Sequence, residues 1–393
     1  MKKALKAALL GVTAISVVAN AGTKEFYKYE VINAKAIDGE VSSDPKADIW
    51  KTVEGKYVYL YPQVSVRLND KKANKIIPKK TLQKALVKVI YNSDSIAVYM
   101  RWKDKTPSIQ PVYDSDAFGD GISVEFPTKF GKGISLPYIG MGDEKHPVTV
   151  YLQKNVAGRD YQKSFISEGF GSMTEIKSDD VEFNMVYNRG TKEWTAVIKR
   201  PLTTENDNLK AGLVPIGFAI WDGNKYERDG NKSLSRWKFI RLKKYPLDEE
   251  YFKYVSWGDM IHLEGDTKRG KQLMIQNGCT GCHRFADQQT AVPGLAPNLS
   301  DIGGIAHAPY LKESIVDPSA IIIRNLNINR HYNKSANRDK NGAYPNNDMY
   351  KWYTVNPDGT KSSKMPSYSF LPEKDIIDIV AYLKTLRNWN NFK

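Results

Sequence analysis

Residues 279–283 read Cys-Thr-Gly-Cys-His and contain the only two cysteines of the 393-residue chain. This spacing is the attachment signature of a c-type haem. Cys279 and Cys282 would bond the two vinyl groups of the porphyrin as thioethers, and His283 would follow as the proximal iron ligand. A redox CxxC pair and half of a zinc site are the alternatives, but a zinc site needs two more ligands at matching spacing and none follows. The motif therefore predicts one covalent haem c.

A candidate for the opposite side of the iron lies near the C-terminus. Met365 is part of the run Lys-Met-Pro-Ser-Tyr, and Pro366 would hold this loop extended. A thioether is a soft, neutral ligand that stabilises ferrous iron. A core methionine is the alternative for Met365. Three other side chains compete for the sixth position: Met349, His307 and His331.

Helical patterns flank both motifs. A helix is predicted over residues 267–277, directly before the haem motif, and another begins after Pro372, where acidic residues suit a first turn. Its apolar residues repeat at helical spacing: Ile376, Ile379, Val380, Leu383 and Leu386. Residues 262–393 therefore resemble a class I cytochrome c domain, which is all-α. The resemblance implies that His283 and Met365 are the axial pair.

A long polar stretch, residues 324–364, departs from a minimal cytochrome c domain. We interpret it as an inserted loop that could serve as a docking surface. The chain as a whole is basic, with 58 Lys and Arg against 44 Asp and Glu, a formal net charge of +14. A solvated basic surface and a surface that docks acidic partners both fit this charge. Nucleic acid is not expected as a partner, because no nucleic-acid motif is present.

The N-terminus carries a secretory signal pattern. Lysines at positions 2, 3 and 6 precede the apolar run 7–18, and a small-residue cleavage site follows, so residues 1–21 are predicted to be a signal peptide. The apolar run is too short for a comfortable membrane span, and the sequence offers no other. We therefore expect an exported protein, in the periplasm or an equivalent compartment, whose mature form has no membrane span.

Residues 22–242 have the pattern of an antiparallel β-sandwich. Short alternating or apolar runs recur there, separated by Gly, Asn, Asp and Pro, and no Gly-rich dinucleotide fingerprint is present. The predicted strands cover residues 56–61, 85–91, 95–102, 121–126, 148–153, 181–187, 193–199, 214–221 and 237–242. Residues 243–261 are interpreted as the linker to the cytochrome c domain. The predicted fold is therefore mainly β in the N-terminal part and all-α in the C-terminal part.

Short motifs follow one another through the β-rich region. They occupy residues 120–127, 136–143, 147–148, 168–172, 194, 200–202, 219–223, 229–233 and 237. This ordered set resembles the haem b (gamma) subunit of ethylbenzene-dehydrogenase-type molybdoenzymes, whose relatives serve dimethyl sulfide dehydrogenase, selenate reductase, chlorate reductase and some nitrate reductases. The resemblance implies a β-sandwich that holds one non-covalent haem b with methionine and lysine as axial ligands. These ligands carry over as Met141, in Gly-Met-Gly-Asp, and Lys232, in Gly-Asn-Lys-Ser.

The histidine content of this region limits which ligand pairs are available. His146 is the only histidine between residues 24 and 240, so bis-histidine ligation is impossible there. A lysine ligand must be neutral, and burial beside a macrocycle would lower its pKa. The alternatives are a core methionine at 141 and a surface lysine at 232. Met100 is the rival methionine, Lys225 is the rival lysine, and His146 could replace either ligand.

The domain order departs from the family, because typical members carry the haem b domain alone. A haem b domain followed by a haem c domain is similar to the electron-transfer subunit of exported nitrate reductases and nitrite oxidoreductases, and it favours the latter. We expect a di-haem relay between the iron–sulfur and molybdenum subunits of such an enzyme and an external carrier such as a soluble cytochrome. No catalytic site of its own is expected.

Three other functions stay open. The β-rich domain could bind a small ligand or carbohydrate, with haem c as the only redox centre. An autonomous haem enzyme such as a peroxidase would need an open coordination site. A partial EF-hand pattern covers residues 114–125, but Phe118 occupies a ligand position, so calcium binding there is a minor alternative. The residues that match the pattern are Asp114, Asp116, Gly119 and Glu125.

Overall fold

The computed structural model describes residues 26, 28, 30–63, 82–111, 117–170, 172–290, 296–323 and 352–387. Within them the strands are β1 (Val31–Asn33), β2 (Lys35–Ala36), β3 (Lys56–Pro62), β4 (Gln83–Tyr91), β5 (Ser95–Lys103), β6 (Gly121–Pro127), β7 (Val148–Val156), β8 (Arg159–Ser167), β9 (Met173–Glu175), β10 (Glu182–Asn188), β11 (Glu193–Pro201), β12 (Leu213–Trp221), β13 (Ser233–Leu234), β14 (Lys238–Arg241), β15 (Tyr353–Val355) and β16 (Lys361–Ser363). The α-helices are α1 (Glu249–Met260), α2 (Thr267–Gln276), α3 (Ile302–Ile305), α4 (Ala308–Val316) and α5 (Glu373–Thr385). Single 3-10 turns occupy Asp48–Thr52, Gly223–Lys225, Ile261–Glu264 and Cys279–Gly281.

The N-terminal part is one large, mostly antiparallel sheet that folds over itself. Its strand order is β10-β11-β5-β4-β3-β13-β12-β6-β7-β8-β9, and β1 and β2 add parallel pairs to β14 and β4. Alternate residues of β4, β5 and β11 share one buried cluster with alternate residues of β6 and β12. The two halves of the sheet therefore face each other as layers, which confirms the mainly β fold predicted for this region.

Strand β12 is buried along its whole length because both of its faces are covered. Ile216 and Phe218 point into the cluster between the layers, whereas Ala219 and Trp221 belong to a second cluster on the outer face. All nine predicted strands coincide with observed ones. Strand β8 was not predicted, because its first half is polar and largely exposed and shows no hydrophobic alternation. The short strands that were also not predicted are β1, β2, β9, β13, β15 and β16.

The C-terminal part is helical and has its own core. Helices α2 and α5 cross closely at Gly270, where an added Cβ would collide with the carbonyl oxygen of Asp378. The Asp378 carboxylate accepts a hydrogen bond from the backbone amide of Asp266 (2.7 Å) and pairs with Arg269. The apolar face predicted for the last helix is buried against α2 and α4, as expected. This arrangement confirms a helical C-terminal domain, to which β15 and β16 add a two-stranded antiparallel pair that was not predicted.

The segment interpreted as a linker contains helix α1. Asp248 caps it by accepting hydrogen bonds from the amides of Glu250 and Tyr251. Phe252 packs into a buried cluster with Phe26 and Phe239, so α1 lies against the sheet. The proposed domain boundaries stay predictions. Among the described residues, every helix is too short or too polar to cross a bilayer.

Candidate haem-binding sites

The Cys-Thr-Gly-Cys-His motif follows α2 as a tight turn. Gly278 has φ +74°, a conformation that glycine adopts without strain, and it reverses the chain before Cys279. The backbone amide of His283 then donates to the carbonyl of Cys279 (2.8 Å), which closes a turn that joins the two ends of the motif. Burial raises the pKa of the Cys279 thiol to about 11. A protonated, half-buried thiol is unlike the reactive thiolate of a redox CxxC pair.

His283 has the environment of an iron ligand. Its side chain is buried, and its Nδ1 atom lies 2.8 Å from the carbonyl oxygen of Pro297. Burial lowers the pKa of the imidazole, which favours the neutral ring. A neutral ring that donates from Nδ1 has its lone pair on Nε2, and that nitrogen is then free to bind a metal. These donors fit a c-type haem.

Met365 is half-buried in the loop that follows β16, and its amide donates to Ser363 Oγ (3.1 Å). Three residues later, Tyr368 donates its hydroxyl to the carbonyl of Asn277 (3.0 Å), just before the haem motif. This hydrogen bond holds the loop next to the motif, and burial, followed by the two motif cysteines, raises the pKa of Tyr368. The position suits a sixth ligand, and ligation by Met365 stays a prediction.

The rivals for that position are placed differently. His307 lies against the β-rich domain, with Nε2 3.2 Å from the carbonyl oxygen of Trp237. Met349 and His331 lie outside the described residues, as does most of the predicted inserted loop.

Lys232 is buried on the outer side of the sheet, with only 3% of its surface exposed. Its Nζ lies 5.1 Å from the centre of the Trp221 ring, and its carbonyl oxygen accepts from the amide of Gln63 (2.8 Å). Burial lowers the pKa of Lys232, and the neighbouring carboxyl of Glu125 opposes that shift. A lysine in this environment can lose its proton, as an iron ligand must.

Glu125 on β6 connects the two candidate ligands. Burial raises its pKa, while Lys232 and the backbone amide of Met141 lower it. The side chain therefore lies beside both segments, which are far apart in sequence. Its Oε1 atom and both polar atoms of the Gln63 side chain are buried without a hydrogen-bond partner among the described residues. Buried polar atoms without partners are uncommon. Here they line a pocket whose other wall is the apolar cluster that contains Met141 and Trp221.

The loop that carries Met141 is strained and tightly held. Met141 itself has φ +82°, which is unusual for a residue with a side chain. The carboxylate of Asp143 accepts from the amides of Tyr138 (3.2 Å), Lys145 (3.0 Å) and His146 (3.0 Å). The carbonyl of Met141 accepts from the amide of Gly169 (2.9 Å). The motifs that contain Glu125, Met141, Gly169, Trp221 and Lys232 thus meet around this loop.

The structure places two of the rival ligands, Met100 and Lys225, away from this pocket, whereas His146 lies in the Met141 loop itself. Met100 is fully buried between the two layers of the sheet. Lys225 pairs with Asp222 (2.8 Å), and the ring of His146 lies 2.9 Å from an oxygen of Asp143. Met141 and Lys232 are brought together, and their role as iron ligands stays a prediction.

Several residues of the pocket were not found from the sequence. Lys154 on β7 lies with its Nζ 5.6 Å from the Trp221 ring, and burial lowers its pKa. Glu125 and Lys154 are polar residues within strands, and Gln63 directly follows β3, so a polar residue in or next to a buried strand was the available signal. The EF-hand pattern is not tested, because Asp114 and Asp116 lie outside the described residues and Glu125 lies beside Lys232.

An acidic cluster lies near one end of the sheet. Carboxylate oxygens of Asp104, Asp120 and Asp222 lie within 4.8 Å of one another. Asp120 accepts from the amides of Ser108 (2.6 Å) and Gly223 (2.9 Å), and its role is thus to join these loops.

Known proteins match both resemblances that the sequence suggested, the cytochrome c domain and the gamma subunit. The cytochrome c family matches residues 267–387. Chlorate reductase subunit gamma of Ideonella dechloratans is 31% identical over 217 residues, which cover 54% of this chain and 84% of that protein. This chain belongs to the family of that gamma subunit.

Two other proteins of this kind are similar. Dimethylsulfide dehydrogenase subunit gamma of Rhodovulum sulfidophilum is 27% identical over 214 residues, 51% of this chain and 75% of that protein. The putative respiratory nitrate reductase heme subunit ORF7 of Haloferax mediterranei is 26% identical over 168 residues, 42% of this chain and 57% of that protein. A family 9 carbohydrate-binding module of Caldicellulosiruptor kristjanssonii covers 56% of this chain and 98% of its own, at 11% identity and a TM-score of 0.31, too low to support an argument.

Proposed function

We propose that this chain is a di-haem electron-transfer subunit that relays electrons between the iron–sulfur subunit of a molybdoenzyme and an external carrier. Haem c would be attached to Cys279 and Cys282 with His283 and Met365 as axial ligands. One non-covalent haem b would be held by Met141 and Lys232. The observation that carries the proposal is the buried Lys232 beside Glu125 and the Met141 loop, in a family of gamma subunits and next to a cytochrome c domain.

The chain's own residues prepare both sites. Burial favours the neutral amine of Lys232 and the neutral imidazole of His283, so both can offer a lone pair. The Asp143 carboxylate fixes the backbone of the Met141 loop, and apolar neighbours exclude water. When bound, the haems supply the one-electron chemistry, and the protein sets their orientation and surroundings.

The partners follow from the relatives. Their names are those of subunits of chlorate reductase, dimethylsulfide dehydrogenase and a respiratory nitrate reductase, so catalytic molybdenum and iron–sulfur subunits are the partners we propose. The haem b domain followed by haem c favours an enzyme of the nitrite oxidoreductase type. Export to the periplasm or an equivalent compartment fits the signal pattern. The basic surface suits an acidic carrier, such as a soluble cytochrome.

The decisive experiment is a pyridine haemochrome spectrum of the purified full chain, recorded before and after acid–acetone extraction. We expect one extractable haem b and one haem c that stays with the protein. Haem c alone, in fully loaded protein, would reject the haem b assignment. That result would favour the ligand-binding β-domain with a single redox centre.

A further inference from the structure

The helical domain packs directly on the predicted haem b pocket. Ile305, at the end of α3, belongs to the same buried cluster as Met141, Ile139 and Tyr138. Tyr310 on α4 packs on that cluster too, with its ring centre 5.6 Å from the ring centre of Tyr138. Residues of the cytochrome c domain thus cover the outer side of the segment that carries the proposed methionine ligand.

His307 provides a polar contact in the middle of this interface. It is buried at the start of α4, and its Nε2 lies 3.2 Å from the carbonyl oxygen of Trp237. The indole of Trp237 in turn donates to the carbonyl of Pro137 (2.8 Å), at the start of the Met141 segment. Contacts therefore run without a break from His307 through Trp237 to the loop of the proposed haem b ligand.

Two charged contacts hold the edge of the same loop. Lys145 donates its Nζ to the carbonyl of Ala320 (2.8 Å), and Glu144 forms an ion pair with Lys361. Both residues follow Asp143, whose carboxylate fixes the loop. The helical domain therefore contacts the Met141 loop in two ways: apolar side chains pack on the middle of the loop, and polar side chains bond to its edge.

A cavity of about 160 Å³ remains between the two domains. Its walls include Trp237, Ile139, Ile305 and His307. Sites for small molecules are commonly about 300–1,000 Å³, so this space is too small to be a separate site of that kind. It is the gap at which the helical domain meets the outer wall of the haem b pocket.

The same stretch of chain also contacts the proximal ligand of haem c. The carbonyl of Pro297 is the partner of His283 Nδ1, and the amide of Leu299 donates to the carbonyl of Arg284 (2.9 Å). Eight residues after Leu299, His307 reaches Trp237. Residues 297–307 therefore touch the proposed haem c ligand at one end and the wall of the haem b pocket at the other.

We infer that the cytochrome c domain closes the haem b pocket, with Ile305, His307 and Tyr310 as positioning residues that hold the Met141 loop and fix one haem relative to the other. This inference rests on the proposed function. It gives the second domain a structural task besides its own redox centre: it excludes water from haem b and slows its loss.

The test measures how fast haem b leaves the full chain for an excess of apomyoglobin, with covalent haem c as an internal standard. The double variant Ile305→Ala/Tyr310→Ala should lose haem b at least about tenfold faster, which corresponds to about 1.4 kcal/mol. Lys312→Ala is the matched control, because Lys312 lies on the same helix but pairs with Glu373 within the helical domain. Its rate should equal that of the wild type.

A milder pair of variants keeps the test valid where the double variant fails to fold. Lys361→Glu places two carboxylates together at the rim and should speed haem b loss by about two- to fivefold, the range of exposed ion pairs. Adding Glu144→Lys should restore the slow rate. A folded variant set with unchanged transfer rates would overturn the inference. Wild-type protein without any haem b would instead overturn the proposed function, so the two failures are distinct.

Discussion

The Nδ1 atom of His283 lies 2.8 Å from the carbonyl oxygen of Pro297. Pro297 is fourteen residues further along the chain, so the contact depends on the loop that follows the haem motif. Because burial also lowers the pKa of the imidazole, the ring has one nitrogen committed to a hydrogen bond and one available for iron. The proximal side of the predicted haem c site is therefore preorganised, and the axial ligand on the opposite side is the one that remains to be tested.

Replacing Met365 with alanine should lower the reduction potential of haem c. Loss of the thioether removes the ligand that favours ferrous iron, and we expect a fall on the order of 0.1 V, within the roughly 0.8 V range that axial ligands span. Potentiometric titration of the haem c absorption measures it. Met173→Ala, which removes an exposed methionine, is the control. An unchanged potential in the Met365 variant would assign the sixth position to another residue.

Replacing Lys232 with alanine should leave the purified protein with little haem b and a full complement of haem c. The amine is buried beside Trp221 and Glu125, so no solvent-exposed group can take its place easily. Haem content by pyridine haemochrome is the measurement. Lys154→Ala is the matched control, since Lys154 lies near the same indole ring. An unchanged haem b spectrum in the Lys232 variant would show that Lys232 is not the ligand. Loss of haem b only in the Lys154 variant would assign the ligand to Lys154.

Asp143→Ala should destabilise the β-rich domain and release haem b together. The carboxylate accepts from three backbone amides, and a buried donor without a partner costs about 1–3 kcal/mol. We expect a loss of about 2–4 kcal/mol in the free energy of unfolding. Denaturant unfolding, followed by tryptophan fluorescence, checks this value. Asp143→Asn keeps one oxygen acceptor, so its free energy of unfolding should lie between those of the wild type and Asp143→Ala. Equal stability of all three proteins would contradict the role assigned to Asp143.

Asp301→Asn should remove a pH dependence of stability. Asp301 is fully buried, both of its carboxylate oxygens are without a partner among the described residues, and burial raises its pKa to about 7. The folded state therefore holds a proton that the unfolded state releases near pH 4. The stability that this group contributes is present below pH 4 and is lost as the pH rises towards 7.

The expected loss for the wild type is about 2–3 kcal/mol between pH 5 and pH 8, at 1.36 kcal/mol per pKa unit. The asparagine variant should show a correspondingly flatter profile of unfolding free energy against pH. Asp287→Asn, at an exposed carboxyl paired with Lys271, is the control and should keep the wild-type profile. Parallel profiles for the wild type and the Asp301 variant would contradict this account.

Features that depend only on neighbouring residues could be predicted before the fold was known. Haem attachment needs five consecutive residues, so 279–283 identify it without a fold. Hydrophobic alternation located nine strands, and helical periodicity located α2 and α5, because each element repeats its own pattern locally. The order of short motifs also pointed to the gamma-subunit family, which the comparisons then showed.

Contacts between residues that are distant in sequence became visible only in the fold. Met141 and Lys232 belong to different loops, and strand pairing brings both to the carboxyl of Glu125, a residue that looked like part of an EF-hand pattern. Residues 243–261 were also predicted to be a linker, but they contain a helix that is capped by Asp248 and packs on the sheet. Local patterns specify which face of an element is apolar, but not which other apolar face covers it. The packing of Ile305 on the Met141 segment and of His307 on Trp237 therefore had to come from the folded chain, because it depends on how two cores are brought into contact.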